Sequence, residues 1–261
     1  MSERESFMAI FHIYPTPENL VAGVTLKDPK EPESFNMALH VCANTDYIIE
    51  NRRKLAAFLN CGLEDFVCAC QSHSDNFHKV TRTDRGRGAM TTDNAIPNTD
   101  ALYTFEPDLL LCCFTADCVP LILYSEPAGL VGTIHSGWEG TVKEITSKVL
   151  RHLIREEHCS PEDIKIIIGP AISREKFEVD RDVCDRFKAL GYADEFISYN
   201  GQTGKYHIDN RLTVKRQCEL SGIPAKNITV EGTCTYTGPG CFSYRRDKNC
   251  GRHLSFIMRK K

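Results

Sequence analysis

Residues 109–140 read LLLCCFTADCVPLILYSEPAGLVGTIHSGWEG, and the fold is organised around this stretch. It contains short apolar runs at residues 109–114, 119–124 and 130–134. Such runs, bounded by turn residues, are typical of buried strands. Cys118 lies in the polar break between the first two runs, and His135 follows the end of the third. Because rigid strands often hold functional side chains at their ends, we predict that Cys118 and His135 share one site.

Strands and helices alternate outside this stretch. Further strands are predicted at residues 8–14, 20–26, 66–70, 164–168, 228–230 and 254–258. Periodic apolar residues predict helices at residues 47–59, 141–157, 180–190 and 208–221. Residues 78–98 are polar and glycine-rich and predict a long loop. The alternation favours a mixed α/β fold, and since no linker divides the chain, we expect a single domain over residues 1–261.

The composition excludes several classes of protein. With 41% hydrophobic and 26% charged residues in a chain of 261, it is ordinary for a soluble globular protein. The net charge of -3 argues against a nucleic-acid partner, and no apolar run approaches the ~18–20 residues that cross a bilayer. The N-terminus has no long apolar core, so we expect a cytoplasmic protein whose thirteen cysteines are free thiols in a reducing compartment.

A third candidate ligand joins Cys118 and His135. His73 also follows a predicted strand and is flanked by small polar residues. Two histidines and one cysteine from three strand ends make a three-ligand site, and zinc with three protein ligands keeps a fourth, catalytic position open. The chain has no Cys-x-x-Cys pair, which argues against a structural zinc finger.

The same residues suit a thiol hydrolase. In that alternative Cys118 is the nucleophile, His135 is the base, and Asp117 or another acid orients the imidazole. The two hypotheses differ in what they predict for the isolated protein. The first predicts bound zinc, and the second predicts a thiolate that is sensitive to alkylation.

A second concentration of polar residues lies near the C-terminus. Residues 242–247 read FSYRRD, which places Arg245 and Arg246 directly after Tyr244. Guanidinium groups bind phosphate through paired hydrogen bonds and stack on rings. The segment therefore predicts a site for an anionic or planar ligand.

Five motifs, taken together and in order, resemble one family. They are QSH at 71–73, DAL at 100–102 followed by TADCVP at 115–120, VGTIHSGWEG at 131–140, IGPAI at 168–172 with FEV at 177–179, and CT at 234–235 leading to FSYRRD at 242–247. On these motifs the chain resembles the laccase-domain, YfiH-like proteins. These proteins, formerly called polyphenol oxidases, are regarded as purine nucleoside phosphorylases with adenosine deaminase activity.

The resemblance implies a single α/β domain layered α/β/β/α, with zinc held by His73, Cys118 and His135. It also implies phosphorolysis of adenosine, inosine, guanosine and S-methyl-5'-thioadenosine, and hydrolytic deamination of adenosine. The expected partners are therefore purine nucleosides and phosphate. A water activated by zinc can attack C6 of adenine. Copper is the lesser alternative, because two histidines and one cysteine also suit that metal.

The resemblance extends to residues around the metal. The catalytic set it suggests is His73, Asp117, Cys118 and His135. The expected substrate-binding residues are Asn36, Arg52, Gln71, Tyr244 and Arg245, with Arg245 as a holder of phosphate.

Two positions depart from the family pattern. Ser74 stands where a glycine is usual, and Glu139 stands where an arginine is usual. These departures motivate a further alternative, a family member that has lost catalysis and acts as a nucleoside sensor or partner-binding module. Product formation from adenosine or inosine with phosphate separates this alternative from the enzyme. The sequence predicts no oligomeric state.

Overall fold

The protein is described by a computed structural model of residues 10–261, so residues 8 and 9 of the first predicted strand lie outside the described range. The strands are β1 (Phe11–Ile13), β2 (Leu20–Thr25), β3 (Phe66–Cys68), β4 (Phe77–Lys79), β5 (Ala101–Thr104), β6 (Leu110–Thr115), β7 (Val119–Ser125), β8 (Leu130–Ser136), β9 (Lys165–Ile168), β10 (Glu178–Val179), β11 (Ile197–Asn200), β12 (Lys205–Ile208), β13 (Ile228–Val230) and β14 (His253–Arg259). The α-helices are α1 (Thr45–Leu59), α2 (Trp138–Val142), α3 (Ile145–Arg155), α4 (Arg181–Lys188) and α5 (Asn210–Leu220). Short 3-10 helices occur at Pro32–Phe35, Leu63–Asp65, Arg82–Asp84, Asp194–Phe196 and Ala225–Asn227.

The described strands form three sheets. The first has the order β1-β2-β14-β6-β3, the second β13-β9-β7-β8-β5-β4, and the third, a small one, β10-β12-β11. Both large sheets are mixed: β3 is parallel to β6, and β4 is parallel to β5, while most other neighbours are antiparallel. The consecutive strands β6 and β7 lie in different sheets, so the three residues between them carry the chain from one sheet to the other.

The two large sheets pack face to face with helices outside them. One apolar cluster joins Val67 and Leu111 of the first sheet to Ile122 and Ile167 of the second. A second cluster packs α1 on the outer face of the first sheet, and a third packs α3 and α5 on the outer face of the second. All residues of strand β6 are buried, although alternate residues along a strand point to opposite faces of the sheet. Both faces of this sheet are therefore covered, one by the second sheet and the other by a helix. The layered α/β/β/α fold is thus confirmed.

Several predicted elements need correction. The predicted helix at 141–157 is two helices, because Glu144 takes a left-handed φ of 61° between α2 and α3. Sequence periodicity runs through this break because the apolar residues of α3 keep their spacing. The prediction of a loop over 78–98 is wrong at its start, where β4 pairs with β5, and at the 3-10 turn Arg82–Asp84. Its arginines are paired with acids, including Arg87 with Asp84 at 3.0 Å.

Other elements match or were missed. The three central runs are strands, as predicted, and the first predicted strand is represented by β1. Strand β5 and the whole small sheet of β10, β11 and β12 were not predicted, because these segments of two to four residues are too short to show a periodic pattern. Among residues 10–261, no helix is both long and apolar enough to cross a membrane.

Candidate metal centre and substrate cavity

Cys118 lies at the crossing between the two sheets. The preceding residue, Asp117, has a φ of 95°, a left-handed conformation that is strained for a residue with a side chain. Its carboxylate fixes that conformation: Oδ1 accepts a hydrogen bond of 2.6 Å from the Thr235 hydroxyl, and Oδ2 accepts one of 2.7 Å from the Arg245 backbone N–H. The tight crossing therefore places the Cys118 thiol at one end of the two sheets, beside His73.

The two histidines reach the same space from different strands. His73 stands in the loop that follows β3, with a left-handed φ of 57°. His135 is the penultimate residue of β8, buried and paired across the sheet with Pro120 of β7. The ring centroids of His73 and His135 lie 4.8 Å apart at an interplanar angle of 77°. The structure thus brings together the three residues that the sequence predicts as ligands.

The spacing of these three side chains suits a metal ion. One ligand atom from each of His73, Cys118 and His135 lies within 4.8 Å of the other two, and Cys118 Sγ is 3.7 Å from His73 Nε2. Tetrahedral zinc, with bonds of about 2.3 Å to sulfur and about 2.0–2.1 Å to nitrogen, places those two ligand atoms about 3.6 Å apart. Two imidazoles and a thiolate are also ligands that bind transition metals, so the donor set and the spacing agree.

A buried carboxylate that sequence reasoning did not assign holds two of the ligands. Asp100 Oδ1 lies 2.7 Å from His135 Nδ1 and accepts a 3.1 Å hydrogen bond from the backbone N–H of His73. Oδ2 accepts hydrogen bonds of 2.7 Å from both the backbone N–H and the hydroxyl of Ser74. Because a carboxylate only accepts, Nδ1 of His135 carries the proton and Nε2 is free to ligate. The DAL motif was the available signal for this residue.

The charges around the cluster support one another. Burial alone would raise the pKa of the Cys118 thiol and lower the pKa of His135. The charge and hydrogen-bond interaction between the two groups outweighs burial, so the pKa of Cys118 is lowered and the pKa of His135 is raised. Burial would likewise raise the pKa of Asp100, but the hydrogen bond and charge of His135 hold it well below its usual range. The site is therefore built around a thiolate and a carboxylate, and it favours positive charge between them.

Gly137 has no side chain, and this absence makes room for two of the candidate ligands. A Cβ at this position would lie 2.6 Å from Cδ2 of His73 and 3.0 Å from Sγ of Cys118. Both distances are at or below the closest approach of non-bonded heavy atoms. The glycine between β8 and α2 is therefore required by the close packing of two ligands, rather than by its own backbone angles.

Two cavities meet at this cluster and share His73, Ala116, Cys118 and Tyr244. The first, of about 370 Å³, is called here the apolar lobe; its walls include Trp138, Ile172, Phe177, Val179 and Val183, with Asp117, Glu178, Asp180, Asn210, Arg245 and Lys248 as polar groups. The second, of about 350 Å³, is called the cationic lobe; its remaining walls are His40, Gln71, Phe114, Thr115, His135 and Arg252. No carboxylate lines the cationic lobe among the described residues.

The C-terminal motif lies at the apolar lobe. Tyr244 is exposed between the two lobes, and Arg245 lines the apolar lobe with its guanidinium over the ring of Phe177, 5.7 Å from the centroid. Arg245 Nη1 donates to the backbone carbonyls of Lys176 at 3.4 Å and Glu178 at 2.8 Å. The side chain is thus held against the cavity wall.

Three other predicted substrate-binding residues have structural contacts. The side-chain amide of Gln71 binds the backbone of Phe114 near the end of β6. Its Nε2 donates to the Phe114 carbonyl at 2.8 Å, and its Oε1 accepts from the Phe114 N–H at 2.7 Å. Arg52 is buried and donates to the carbonyls of Met37, Gly88 and Ala89. Asn36 is buried and lies outside both lobes. Of the three, Gln71 alone borders the cavity, and its polar atoms are already paired.

The chain matches a known family over almost its whole length. The model for the family described as multi-copper polyphenol oxidoreductase laccase matches residues 23–260. The chain belongs to this family. It is 36% identical over 249 residues to a protein of Bacillus subtilis named purine nucleoside phosphorylase YlmD, covering 93% of this chain and 90% of that protein. The resemblance recognised from the five motifs is confirmed.

Other members of the laccase family agree with this assignment. The crystal structure of YlmD from Geobacillus stearothermophilus superimposes with a TM-score of 0.90 at 35% identity, covering 97% of this chain and 99% of that one. A protein from an unknown prokaryote, named adenosine deaminase RL5, is 32% identical over 216 residues and covers 82% of each chain. Sequence and structure therefore identify the same set of relatives.

Proposed function

We propose that this protein is a zinc-dependent purine nucleoside phosphorylase that also deaminates adenosine. The proposed substrates are adenosine, inosine, guanosine and S-methyl-5'-thioadenosine with phosphate, and adenosine with water. The observation that carries the proposal is the apolar lobe that ends at His73, Cys118 and His135. The names of the relatives, purine nucleoside phosphorylase and adenosine deaminase, support it.

The apolar lobe offers complementary surfaces to a nucleoside. A planar purine suits a wall of Trp138, Ile172 and Phe177, where aromatic and aliphatic groups exclude water. The carboxylates of Glu178 and Asp180 line the same cavity and can accept hydrogen bonds from ribose hydroxyls. Tyr244, exposed at the boundary of the lobes, is placed to contact the sugar or the base.

Both reactions replace one bond at carbon. In phosphorolysis a phosphate oxygen bonds to C1′ of the ribose while the C1′–N9 bond breaks, and the purine leaves with the electron pair and gains a proton. In deamination water adds at C6 of adenine and ammonia leaves, which gives inosine. A metal bound by the three ligands would supply Lewis-acid chemistry for such steps. Asp100 would hold His135 and the His73 loop in place, and Asp117 would hold the Cys118 crossing.

Zinc is the metal of this proposal, with copper as the lesser alternative. The three ligands and the spacing between Cys118 and His73 are consistent with tetrahedral zinc, and two histidines with one cysteine also suit copper. We expect the cytosol as the compartment, an expectation supported by thirteen free cysteines. Metal analysis separates zinc from copper.

The thiol hydrolase remains the second candidate because one observation favours it. The Cys118 thiol has a lowered pKa, and His135 is oriented by a carboxylate, which is the relay that a cysteine nucleophile uses. The orienting acid is Asp100, however, and the Asp117 named from the sequence is committed to Thr235 and Arg245. Zinc lost to a chelator together with activity supports the metalloenzyme; activity that survives chelation and is lost to iodoacetamide supports the hydrolase.

The departures from the family pattern do not favour loss of catalysis. Glu139 is absent from the walls of both lobes and lies 3.4 Å from Lys143 on its own helix turn. Ser74 adds a hydroxyl hydrogen bond to Asp100, which strengthens the support of the cluster. The substitutions thus leave the proposed pocket intact.

The first experiment combines metal analysis with turnover. Zinc per chain is measured on the purified protein, and release of base from inosine and adenosine is followed with and without phosphate. Near-stoichiometric zinc and phosphate-dependent base release support the proposal. Zinc without any turnover would refute the enzymatic proposal and favour a nucleoside sensor, and base release that needs no phosphate would refute phosphorolysis.

A further inference from the structure

The cationic lobe contains an arginine whose charge is not neutralised. Arg252 lines this lobe, and its Nη1 donates to the backbone carbonyls of Cys250 at 2.6 Å and Gly251 at 3.1 Å. Within residues 10–261, its Nε and Nη2 donate to no protein atom, and no carboxylate lies within ion-pair distance. Its guanidinium carbon is 5.6 Å from the ring centroid of Tyr244, the residue that separates the two lobes. The unused donors and the charge therefore stand at the junction of the lobes.

Arg245 differs from Arg252 in the acids that share its cavity rather than in its hydrogen bonds. As in Arg252, its Nη1 donates to two backbone carbonyls. However, the carboxylates of Glu178, Asp180 and Asp117 line its cavity, where Lys248 is the other cation. An anion placed beside Arg245 would lie near three carboxylates that repel it, and the charge of Lys248 offsets only part of that repulsion. The apolar lobe is thus a poor place for a dianion, although it suits a neutral nucleoside.

The chain fixes Arg252 in place through residues that the sequence had linked to substrate. Asn36 Oδ1 accepts a 2.8 Å hydrogen bond from the backbone N–H of Arg252. Gly251, the preceding residue, packs so closely that an added Cβ would lie 2.6 Å from Cβ of Asn36. Arg52 donates two hydrogen bonds to the backbone carbonyl of Met37, the residue next to Asn36. Two predicted substrate-binding residues, Asn36 and Arg52, therefore act on the lobe through the backbone that supports it.

We infer that the cationic lobe is the phosphate subsite, with Arg252 as its main charged donor and His40 as a second polar contact. The inference rests on the proposed phosphorolysis and assigns its second substrate to a different cavity from the nucleoside. Since the lobes meet at Tyr244 and Cys118, phosphate in one faces the sugar of a nucleoside in the other. Phosphate is thus assigned to Arg252, whereas the sequence predicts Arg245 as its holder.

The test is the kinetic dependence on phosphate in matched variants of the zinc-loaded protein. Arg252→Gln removes the charge and keeps a polar side chain, Arg252→Lys restores the charge, and His40→Gln changes an exposed side chain. Arg155→Gln, an exposed arginine on α3, serves as the control. Loss of a charge-assisted hydrogen bond predicts a rise in the KM for phosphate of about tenfold or more in Arg252→Gln. We expect partial recovery in the lysine variant and a change in the KM for inosine of less than about threefold.

The comparison with Arg245→Gln decides between the two cavities. A rise in the KM for phosphate in Arg245→Gln, with none in Arg252→Gln or His40→Gln, would overturn the inference. Binding of inorganic phosphate, measured by calorimetry on the wild-type and Arg252→Gln proteins, gives an answer without turnover. If the wild-type protein releases no base, the proposed function fails, while weaker phosphate binding in Arg252→Gln still supports the subsite and equal binding refutes it.

Discussion

Asp100 is the residue whose loss should most clearly separate metal binding from folding. Its carboxylate accepts hydrogen bonds from the His135 ring, from the backbone N–H groups of His73 and Ser74, and from the Ser74 hydroxyl. Asp100→Asn keeps the shape but replaces one oxygen with an N–H₂ group that can only donate. Every atom facing the carboxylate is itself a donor, so the amide cannot satisfy both sides.

The magnitude follows from the two possible orientations of the amide. If its nitrogen faces His135, it donates to Nδ1, the imidazole proton moves to Nε2, and that nitrogen can no longer ligate. If its nitrogen faces Ser74, it opposes an N–H and an O–H, and the loop that carries His73 loses its anchor. Hydrogen bonds to a charged group contribute about 1.5–3 kcal/mol each. We therefore expect zinc affinity to fall about 10–100-fold, the range typical for loss of such a partner.

The assay is competition for zinc against a chelator of known affinity, with the free energy of unfolding measured in parallel on the apoproteins. Asp84→Asn is the matched control, because Asp84 is also buried and contacts a histidine, His78, at 3.1 Å, away from the cluster. We expect the control to lose stability and keep its zinc affinity. Wild-type zinc affinity in Asp100→Asn, with reduced stability alone, would refute the reasoning and make Asp100 merely structural.

Three further predictions follow from the same structure. Cys118→Ala and His135→Ala should each lose most of the bound metal; full zinc in both, by elemental analysis, would contradict the site. Gly137→Ala should weaken metal binding at least about tenfold, because its Cβ would meet the His73 ring 2.6 Å away, and unchanged affinity would show that the ring can move freely. His253 is buried and neutral, donating from Nδ1 to the Thr25 carbonyl and accepting at Nε2 from the Phe242 N–H, and burial lowers its pKa from 6.5 to about 4. The unfolded chain therefore binds the proton first, so this residue's contribution is complete above about pH 6.5 and falls by about 3 kcal/mol as the pH drops to 4. Denaturant unfolding should show that His253→Gln loses less stability over this range than the wild type, and equal losses would contradict the assignment.

The sequence predicted the parts of the fold that are set by strong local patterns. The runs that became β6, β7 and β8 are short, apolar and bounded by turn residues, so they could be read as strands without knowledge of their partners. Pairing could not be predicted in the same way. Strands β6 and β7 are neighbours in sequence but belong to different sheets, and nothing local in the crossing residues states this. The break at Glu144 was missed for a similar reason, because a single left-handed residue leaves the apolar period unchanged.

The candidate metal ligands could be named from the sequence because histidine and cysteine are recognisable one residue at a time. The roles of the residues that support them are visible only in three dimensions. The DAL motif marks Asp100 in the sequence, but its role comes from donors contributed by the 72–74 loop and β8. Arg245 and Arg252 both donate to backbone carbonyls, and they differ in that carboxylates line the lobe of Arg245 and none lines the lobe of Arg252 among the described residues. Sequence reasoning therefore names candidate groups but cannot show which neighbouring side chains are already engaged in the fold.

The origins of the three ligands connect metal binding to the packing of the sheets. His73 follows β3 of the first sheet, His135 lies on β8 of the second, and Cys118 lies on the crossing between them. An ion held by all three would join the two layers at one end of their shared core, where Asp100 already links the His73 loop to β8. Because a ligand that binds only the folded state stabilises it by RT ln(1 + [L]/Kd), about 4.1 kcal/mol at 1,000 times Kd, the metal should stabilise the whole sandwich. The layered fold and the metal centre are thus one structure, since the same crossing that separates the two sheets also places the thiol.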